Sequence, residues 1–354
     1  MCGDGCFMTQ HVSSLPSIVT GKNALKTLHS WLRKNAPEQI VILCDSHTLE
    51  HCWPVLLQQV PSLSHASLIE TDPGESSKSL EIAAYIWQTL TEQAASRKTL
   101  FINLGGGMIT DLGGFCAALY KRGIPFMHIP TSLLAMVDAG IGGKTAIDFM
   151  EVKNLIGTIT PPLATVIDPV FLKTLPPREY LCGEAEVYKI AAIANANLWR
   201  TLVKKGFSPE LIEKAVATKQ RIVKKDPLEK NSRQCLNFGH TIGHALESAS
   251  QGNLLHGEAI VIGMYIETEL AAQLKLISRD WCVEIQQALM WRFDHLLQPI
   301  NGEALQPFLV HDKKNQKNKI VLALPAQPGQ CHLNVVATPA QIQKAIAVYN
   351  KCVK

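Results

Sequence analysis

The sequence predicts an α/β, Rossmann-like nucleotide-binding domain at the N-terminus, followed by a mainly α-helical, metal-binding C-terminal domain. Three observations predict it. Apolar, β-rich runs alternate with helical patterns through the first half, and one such run leads straight into Gly105-Gly106-Gly107. Long amphipathic segments fill the second half and carry a histidine cluster. Strands alternating with helices imply a parallel sheet covered by helices on both faces. The domains are expected at 1–175 and 176–354.

In chain order, the run 39–44 reads as a strand and 79–95 as a helix, followed by a strand at 99–104, a helix into Tyr120 and a strand at 124–129. After the Pro161-Pro162 and Pro176-Pro177 pairs the period changes to that of helices, at 185–206, 209–225, 241–250 and 259–276. Segments 319–324 and 331–335 are expected to pair around Pro328-Gly329, and Thr338-Pro339 to cap and open the closing helix.

Composition bounds the rest. A chain of 354 residues exceeds the size at which one core keeps growing, which favours two domains. Residues 1–14 have neither the basic flank nor the apolar segment of a secretory signal, and no apolar run is long enough to span a bilayer. The ten cysteines form no Cys-x-x-Cys pair, which points to the cytoplasm and offers no competing metal site. A formal charge of +4 is too small to argue for nucleic acid.

His240, His244 and His256 place three imidazoles within seventeen residues. On a helix His240 and His244 share a face, and His256 lies beyond a Gly-containing turn from which it could swing back. Two histidines four apart are by themselves more often a surface or hydrogen-bonded pair, so a carboxylate is needed. Glu186, at a helix start with an apolar continuation, is the best candidate. Two imidazoles and one carboxylate leave a coordination position open, as a catalytic cation requires.

Gly105-Gly106-Gly107, with Asp111, Gly113 and Gly114 in the helix that follows, offers close backbone approach and unpaired N–H groups to a pyrophosphate. The spacing departs from Gly-x-Gly-x-x-Gly, and glycines alone are often just a turn. Asp45, ending the preceding strand, could accept from a ribose hydroxyl. The turn from Pro73 to Lys78 carries the charge pair Glu75 and Lys78.

With these residues assembled, the chain resembles the 3-dehydroquinate synthase family from Asp45 to Asp312-Lys313-Lys314. The resemblance rests on Pro73-Gly74-Glu75 with Lys78, the triple glycine with Asp111, Lys121-Arg122-Gly123, and Pro130 through Asp138. It continues through Gly142-Gly143-Lys144-Thr145, Lys153-Asn154-Leu155-Ile156-Gly157, Thr174-Leu175-Pro176, Ala185-Glu186-Val187 with Lys189, and the histidine cluster. It implies zinc or cobalt held by Glu186, His240 and His256. It also implies NAD, recycled within each turnover, on Asp45, Glu75, Lys78, Gly105, Gly106, Gly107, Asp111, Thr131, Ser132, Lys153 and Thr174. The substrate set it implies is Asp138, Lys144, Asn154, Lys189, Lys219, Arg233, Asn237, His244 and Lys313 or Lys314, with Arg122 reaching a phosphate. Lys144, Lys189, Arg233, Asn237 and His244 are the catalytic members of that set.

The reaction implied converts 3-deoxy-D-arabino-heptulosonate 7-phosphate into 3-dehydroquinate and phosphate in the shikimate pathway. It proceeds by transient NAD-dependent oxidation, phosphate elimination, reduction, ring opening and aldol closure. A homodimer is implied as well. The chain departs from the family at Asp148-Phe149-Met150-Glu151-Val152 and at Thr110. The loop departure keeps open another sugar phosphate cyclase acting on sedoheptulose 7-phosphate or glucose 6-phosphate. A metal-dependent polyol dehydrogenase and a catalytically dead binding protein are the more distant alternatives.

Overall fold

The β-branched and apolar runs of the first half become the strands of one parallel sheet. The computed structural model describes residues 15–353, apart from 151, 251 and 311–318. They fall into two units. One holds the chain up to Thr131 together with Gly143–Thr174, and the other holds Ser132–Gly142 and the chain from Leu175.

In the first unit the order is β1 (Ile18–Thr20), α1 (Ala24–Asn35), β2 (Ile40–Asp45), α2 (Ser46–His51), α3 (Trp53–Gln59), β3 (Ser67–Thr71), α4 (Leu80–Glu92), β4 (Leu100–Gly105), α5 (Gly107–Leu119) and β5 (Phe126–Pro130). A hairpin of β6 (Lys144–Phe149) and β7 (Val152–Ile159) follows, then β8 (Ala164–Ile167). The six-stranded sheet has the order β1-β8-β5-β4-β2-β3, with every pair parallel. All six residues of β4 are buried, which is why its sequence runs apolar without alternation. Val41, Leu43, Ile69, Phe101, Ile109 and Phe115 belong to the core between this sheet and α4 and α5.

The crossover from β2 to β3 runs outward, and the crossover from β3 to β4 returns past β2. Right-handed connections therefore put α3 and α4 on opposite faces. The switch falls between β2 and β4, whose carboxyl ends carry Asp45 and Gly105. This is the position at which open α/β sheets receive ligands.

The second unit contains α6 (Pro177–Ala194), α7 (Ala196–Lys205), α8 (Ile212–Lys225), α9 (His240–Ala249), α10 (His256–Gln273), α11 (Arg279–Phe293), α12 (Gly302–Val310), β9 (Ile320–Pro325), β10 (Cys331–Ala337) and α13 (Pro339–Cys352). The single helix expected at 185–206 is two helices. Asn195 separates them because its side chain accepts the Leu198 N–H at 3.0 Å and caps α7. Helix α10 packs against α6, α9, α11 and α13, and every residue from Gly257 to Ala271 is buried. The segment Ser132–Gly142 includes a π-helical turn, Ala135–Ala139, that packs on α6 and α8, which is why it groups with this unit. β9 and β10 pair antiparallel, and Thr338 caps α13 in a capping box as expected. Among the described residues, no helix is long and apolar enough to cross a membrane.

Candidate metal centre and charged clusters

Glu186 projects from α6, while His240 and His256 are the first residues of α9 and α10. Their ligand atoms lie within 4.8 Å of one another. The His240 Nε2 is 3.7 Å, and the His256 Nε2 3.4 Å, from Glu186 Oε1. Glu186 is fully buried, and neither oxygen accepts a hydrogen bond of ordinary geometry. Its cationic neighbours are the Lys189 ammonium, one turn along α6, which forms an ion pair with it, and the His256 ring. A buried carboxylate left this way is costly. One carboxylate and two imidazoles suit a divalent cation such as zinc or cobalt.

The other ring nitrogens are already engaged. His240 Nδ1 donates to the Phe238 carbonyl at 3.1 Å, and His256 Nδ1 donates to Glu247 Oε2 at 2.9 Å. With each Nδ1 taken up in this way, both Nε2 atoms are left as potential ligands. Burial, then the Lys189 charge and the two other imidazoles, hold the His240 pKa well below 6.5. Burial opposes protonation of His256 too, but Glu186 and Glu247 outweigh it and push its pKa up to about 9. A cation entering here displaces that proton.

His244, one turn along α9, is exposed. Its ring centroid lies 5.1 Å from His240 and 5.9 Å from His256. It falls outside the Glu186, His240 and His256 group and belongs instead to a second group with Glu247 and His256. Glu247 flanks the histidines in the sequence, three residues from His244, but its bond to His256 is visible only in the fold.

Lys189, Asp138 and Lys219 continue the cluster. Lys219 Nζ donates to Asp138 Oδ1 at 2.5 Å and to its carbonyl at 2.6 Å. Burial would raise the Asp138 pKa, but Lys219 and Lys189 hold it well below the carboxylate range. Burial would lower that of Lys189, but Glu186 and Asp138 raise it. Arg233 is buried and donates from Nη1 to the carbonyls of Gly142, at 3.1 Å, and Pro227, at 2.9 Å. Asn237 Nδ2 donates to Glu229 Oε1 at 3.0 Å, and Arg233 Nε lies 3.8 Å from Glu229 Oε2, so Glu229 ties these two residues together.

In the first unit, the buried Lys78 ammonium meets three oxygens: Asn154 Oδ1 at 2.5 Å, Asp111 Oδ2 at 2.7 Å and Glu75 Oε1 at 3.3 Å. Burial would lower its pKa, but Asp111 and Glu75 raise it. The departing loop is part of this cluster. The Asn154 N–H donates to Asp148 Oδ1 at 2.7 Å, and the Asp148 N–H to the Lys78 carbonyl at 2.7 Å.

Gly106 is the N-cap of α5, and no side chain caps that helix start. A Cβ on Gly105 would lie 2.5 Å from the Ile109 Cβ, so this turn needs glycine. Asp45 caps α2, its Oδ1 accepting the Thr48 N–H at 2.8 Å. Thr131 and Thr174 both reach the Cys52 thiol, whose pKa burial raises to about 11. Ser132 accepts the Ala135 N–H at 3.2 Å in the second unit. Lys144 and Lys153 are exposed on β6 and β7. Arg122 is exposed in a stretch where Lys121, Arg122 and Gly123 have φ of 49°, 67° and 107°. Lys313 and Lys314 lie outside the described residues.

Family models for the N-terminal and C-terminal parts of 3-dehydroquinate synthase match residues 68–182 and 183–315. The chain belongs to the 3-dehydroquinate synthase family. A 3-dehydroquinate synthase of Parabacteroides distasonis is 34% identical over 345 residues, covering 94% of this chain and 98% of that protein. That of Latilactobacillus sakei subsp. sakei is 41% identical over 288 residues, covering 76% and 78%. Among solved structures, a 2-epi-5-epi-valiolone synthase from Streptomyces hygroscopicus subsp. jinggangensis, with NAD+ and Zn2+ bound, superposes with a TM-score of 0.82 at 26% identity. The match covers 98% of this chain and all of that one. A 2-deoxy-scyllo-inosose synthase complexed with carbaglucose-6-phosphate, NAD+ and Co2+ shares the fold at a TM-score of 0.83 and 24% identity, covering 93% and 95%.

Proposed function

We propose that this member of the family is a 3-dehydroquinate synthase, a carbon–oxygen lyase acting on 3-deoxy-D-arabino-heptulosonate 7-phosphate. The observation that carries the proposal is Glu186, a fully buried carboxylate without an ordinary hydrogen bond, faced by two imidazole Nε2 atoms. Glu186, His240 and His256 would hold zinc or cobalt. The start of α5, free of a side-chain cap, fits the pyrophosphate of NAD. Asp45, Glu75, Lys78, Gly105, Gly106, Gly107, Asp111, Thr131, Ser132, Lys153 and Thr174 are its proposed contacts. The two bound groups would supply a transient oxidation of one substrate hydroxyl to a ketone, reversed within the same turnover.

The chain's own residues bind and orient. Lys144, Lys189, Lys219, Arg122, Arg233 and Lys313 supply positive charge for the substrate's phosphate and carboxylate, with arginine suited to paired contacts and lysine to a point charge. Asn154, Asn237 and His244 add polar partners, and Asp138 accepts from hydroxyls while keeping Lys219 in place. Glu247 holds the Nδ1 proton of His256, so that Nε2 stays directed at the cation. Loss of phosphate, ring opening and aldol closure then require held geometry and excluded water. Domains at 1–175 and 176–354, a cytoplasmic homodimer, and partners limited to small phosphorylated molecules belong to the same proposal.

A second reading, a cyclase of sedoheptulose 7-phosphate, draws support from the loop at 148–152, which departs from the family pattern. Phosphate release by metal-loaded protein with catalytic NAD, compared between the two sugars while nicotinamide absorbance is followed, separates the readings. Release from the heptulosonate without net NADH is expected. Release only from sedoheptulose 7-phosphate establishes the second reading, and accumulating NADH indicates a dehydrogenase.

A further inference from the structure

Glu267 lies near the middle of α10, fully buried on a helix whose neighbours are mostly apolar. Glu258 and Glu269 on the same helix pair with Arg178 and Arg279. Among the described residues, Glu267 pairs with no cation and points instead at the start of α9. The Gly239 N–H donates to its Oε2 at 2.6 Å, and the Ile242 N–H to its Oε1 at 3.1 Å. A helix start leaves its first N–H groups without intrahelical partners, and a single side chain from another helix takes two of them here. His240 lies between those two donors.

The crossing of α9 and α10 leaves little freedom. Gly239 has φ of +79°, and a Cβ there would lie 2.6 Å from Met264 Cγ. A Cβ on Gly263 would lie 2.1 Å from the Gly239 carbonyl oxygen. The two helices therefore meet backbone against backbone at Glu267's own end of the contact, and each begins with one of the two histidines. We infer that Glu267 is a positioning residue for the metal centre, an internal carboxyl cap that fixes the first turn of α9 and so aims His240 at Glu186. The inference rests on Glu186, His240 and His256 being the cation's ligands. Burial pushes the Glu267 pKa up to about 8 against the N–H donors, which favour the carboxylate.

Glutamine in its place offers one acceptor and one amide donor, so it cannot take both N–H groups. The test compares metal-free wild type, Glu267→Gln and Glu269→Gln, each titrated with Co2+ in competition with a chelator while the visible absorption of the bound ion is recorded. Glu269 is the comparator because it too is buried on α10 but is bonded to Arg279 and Gln286 of α11. Glu267→Gln is expected to weaken Co2+ binding roughly ten- to hundred-fold and to change the absorption band. Glu269→Gln should keep the wild-type affinity and band even if it lowers the melting temperature. Wild-type affinity and spectrum in Glu267→Gln, or an equal loss in Glu269→Gln, overturns the positioning role alone. Failure of the wild type to take up Co2+ overturns the ligand assignment and this inference with it. If Glu267→Gln does not fold, Glu267→Asp keeps both acceptors on a shorter arm; weaker Co2+ binding supports the role, and wild-type binding overturns it.

Discussion

Lys78 and Glu186 are buried charges, one in each unit, and their surroundings differ in kind. The Lys78 ammonium meets three oxygens from separate parts of its unit, Glu75, Asp111 and Asn154. Glu186 has no ordinary hydrogen bond; it faces the Lys189 ammonium, which also lies in the field of Asp138, and the His256 ring, whose proton a cation would replace. The same contrast appears along α6 itself. Glu184, two residues earlier, is closed by Arg292 through bonds of 2.5 and 2.9 Å. Burying a charge is tolerated when its hydrogen bonding is complete, so a completed cluster acts as a brace. A buried carboxylate left incomplete marks where a cation belongs, whereas the Lys78 cluster is already balanced before NAD meets it.

If that contrast is right, changes at the two places fail in different ways. Glu186→Gln or His256→Ala should take phosphate release below detection while the circular dichroism spectrum stays that of wild type. Wild-type-like turnover in either variant breaks the comparison. Lys78→Met should instead lower stability by about 3 kcal/mol, because it leaves carboxylates facing one another without their cation. Urea unfolding reads this, and a stability change under about 0.5 kcal/mol would show that the Lys78 cluster is no brace.

A smaller effect comes from His128, buried beside Asn103 in the first unit. Burial lowers its pKa from 6.5 to about 3, so the folded chain stays neutral where the unfolded chain takes up a proton. Its contribution is fully present above pH 6.5 and is lost as pH falls toward 3, by about 2 kcal/mol at pH 5. His128→Gln removes the titration, so the gap in unfolding free energy between variant and wild type should shift by that amount between pH 7 and 5. A gap independent of pH contradicts the assignment.

The parallel sheet was legible because β2 and β4 are largely apolar runs that end at Asp45 and Gly105, and β5 is a third apolar-rich run. β1 and β8 were not, being only three and four residues long. The β6–β7 hairpin carries no Asn-Gly or Asp-Gly signal, and places Met150 and Asn154 in the left-handed region instead. The break at Asn195 was hidden because a capping asparagine between two apolar helices resembles an ordinary polar position. The membership of residues 132–142 in the second unit depends on packing against α6 and α8, which no local pattern encodes.

For the site, Glu186, His240 and His256 stood out as residue types whose chemistry is narrow, and family motifs located them. Glu247 and Glu267 did not, since a glutamate on a helix ordinarily faces water. Their roles exist only once α9 and α10 cross. His244 shows the opposite limit: spacing four from His240 does bring the two rings together, at 5.1 Å, but the chain turn before α10 places His256 equally near, at 5.3 Å, and within reach of Glu186.

The central claim is that Glu186 awaits a cation, and calorimetric titration of metal-free protein with Zn2+ tests it most directly. The account predicts uptake of one ion per chain by the wild type, with proton release as His256 gives up its proton, and loss of that uptake in Glu186→Gln. No uptake by the wild type, or uptake unchanged by the substitution, would contradict it.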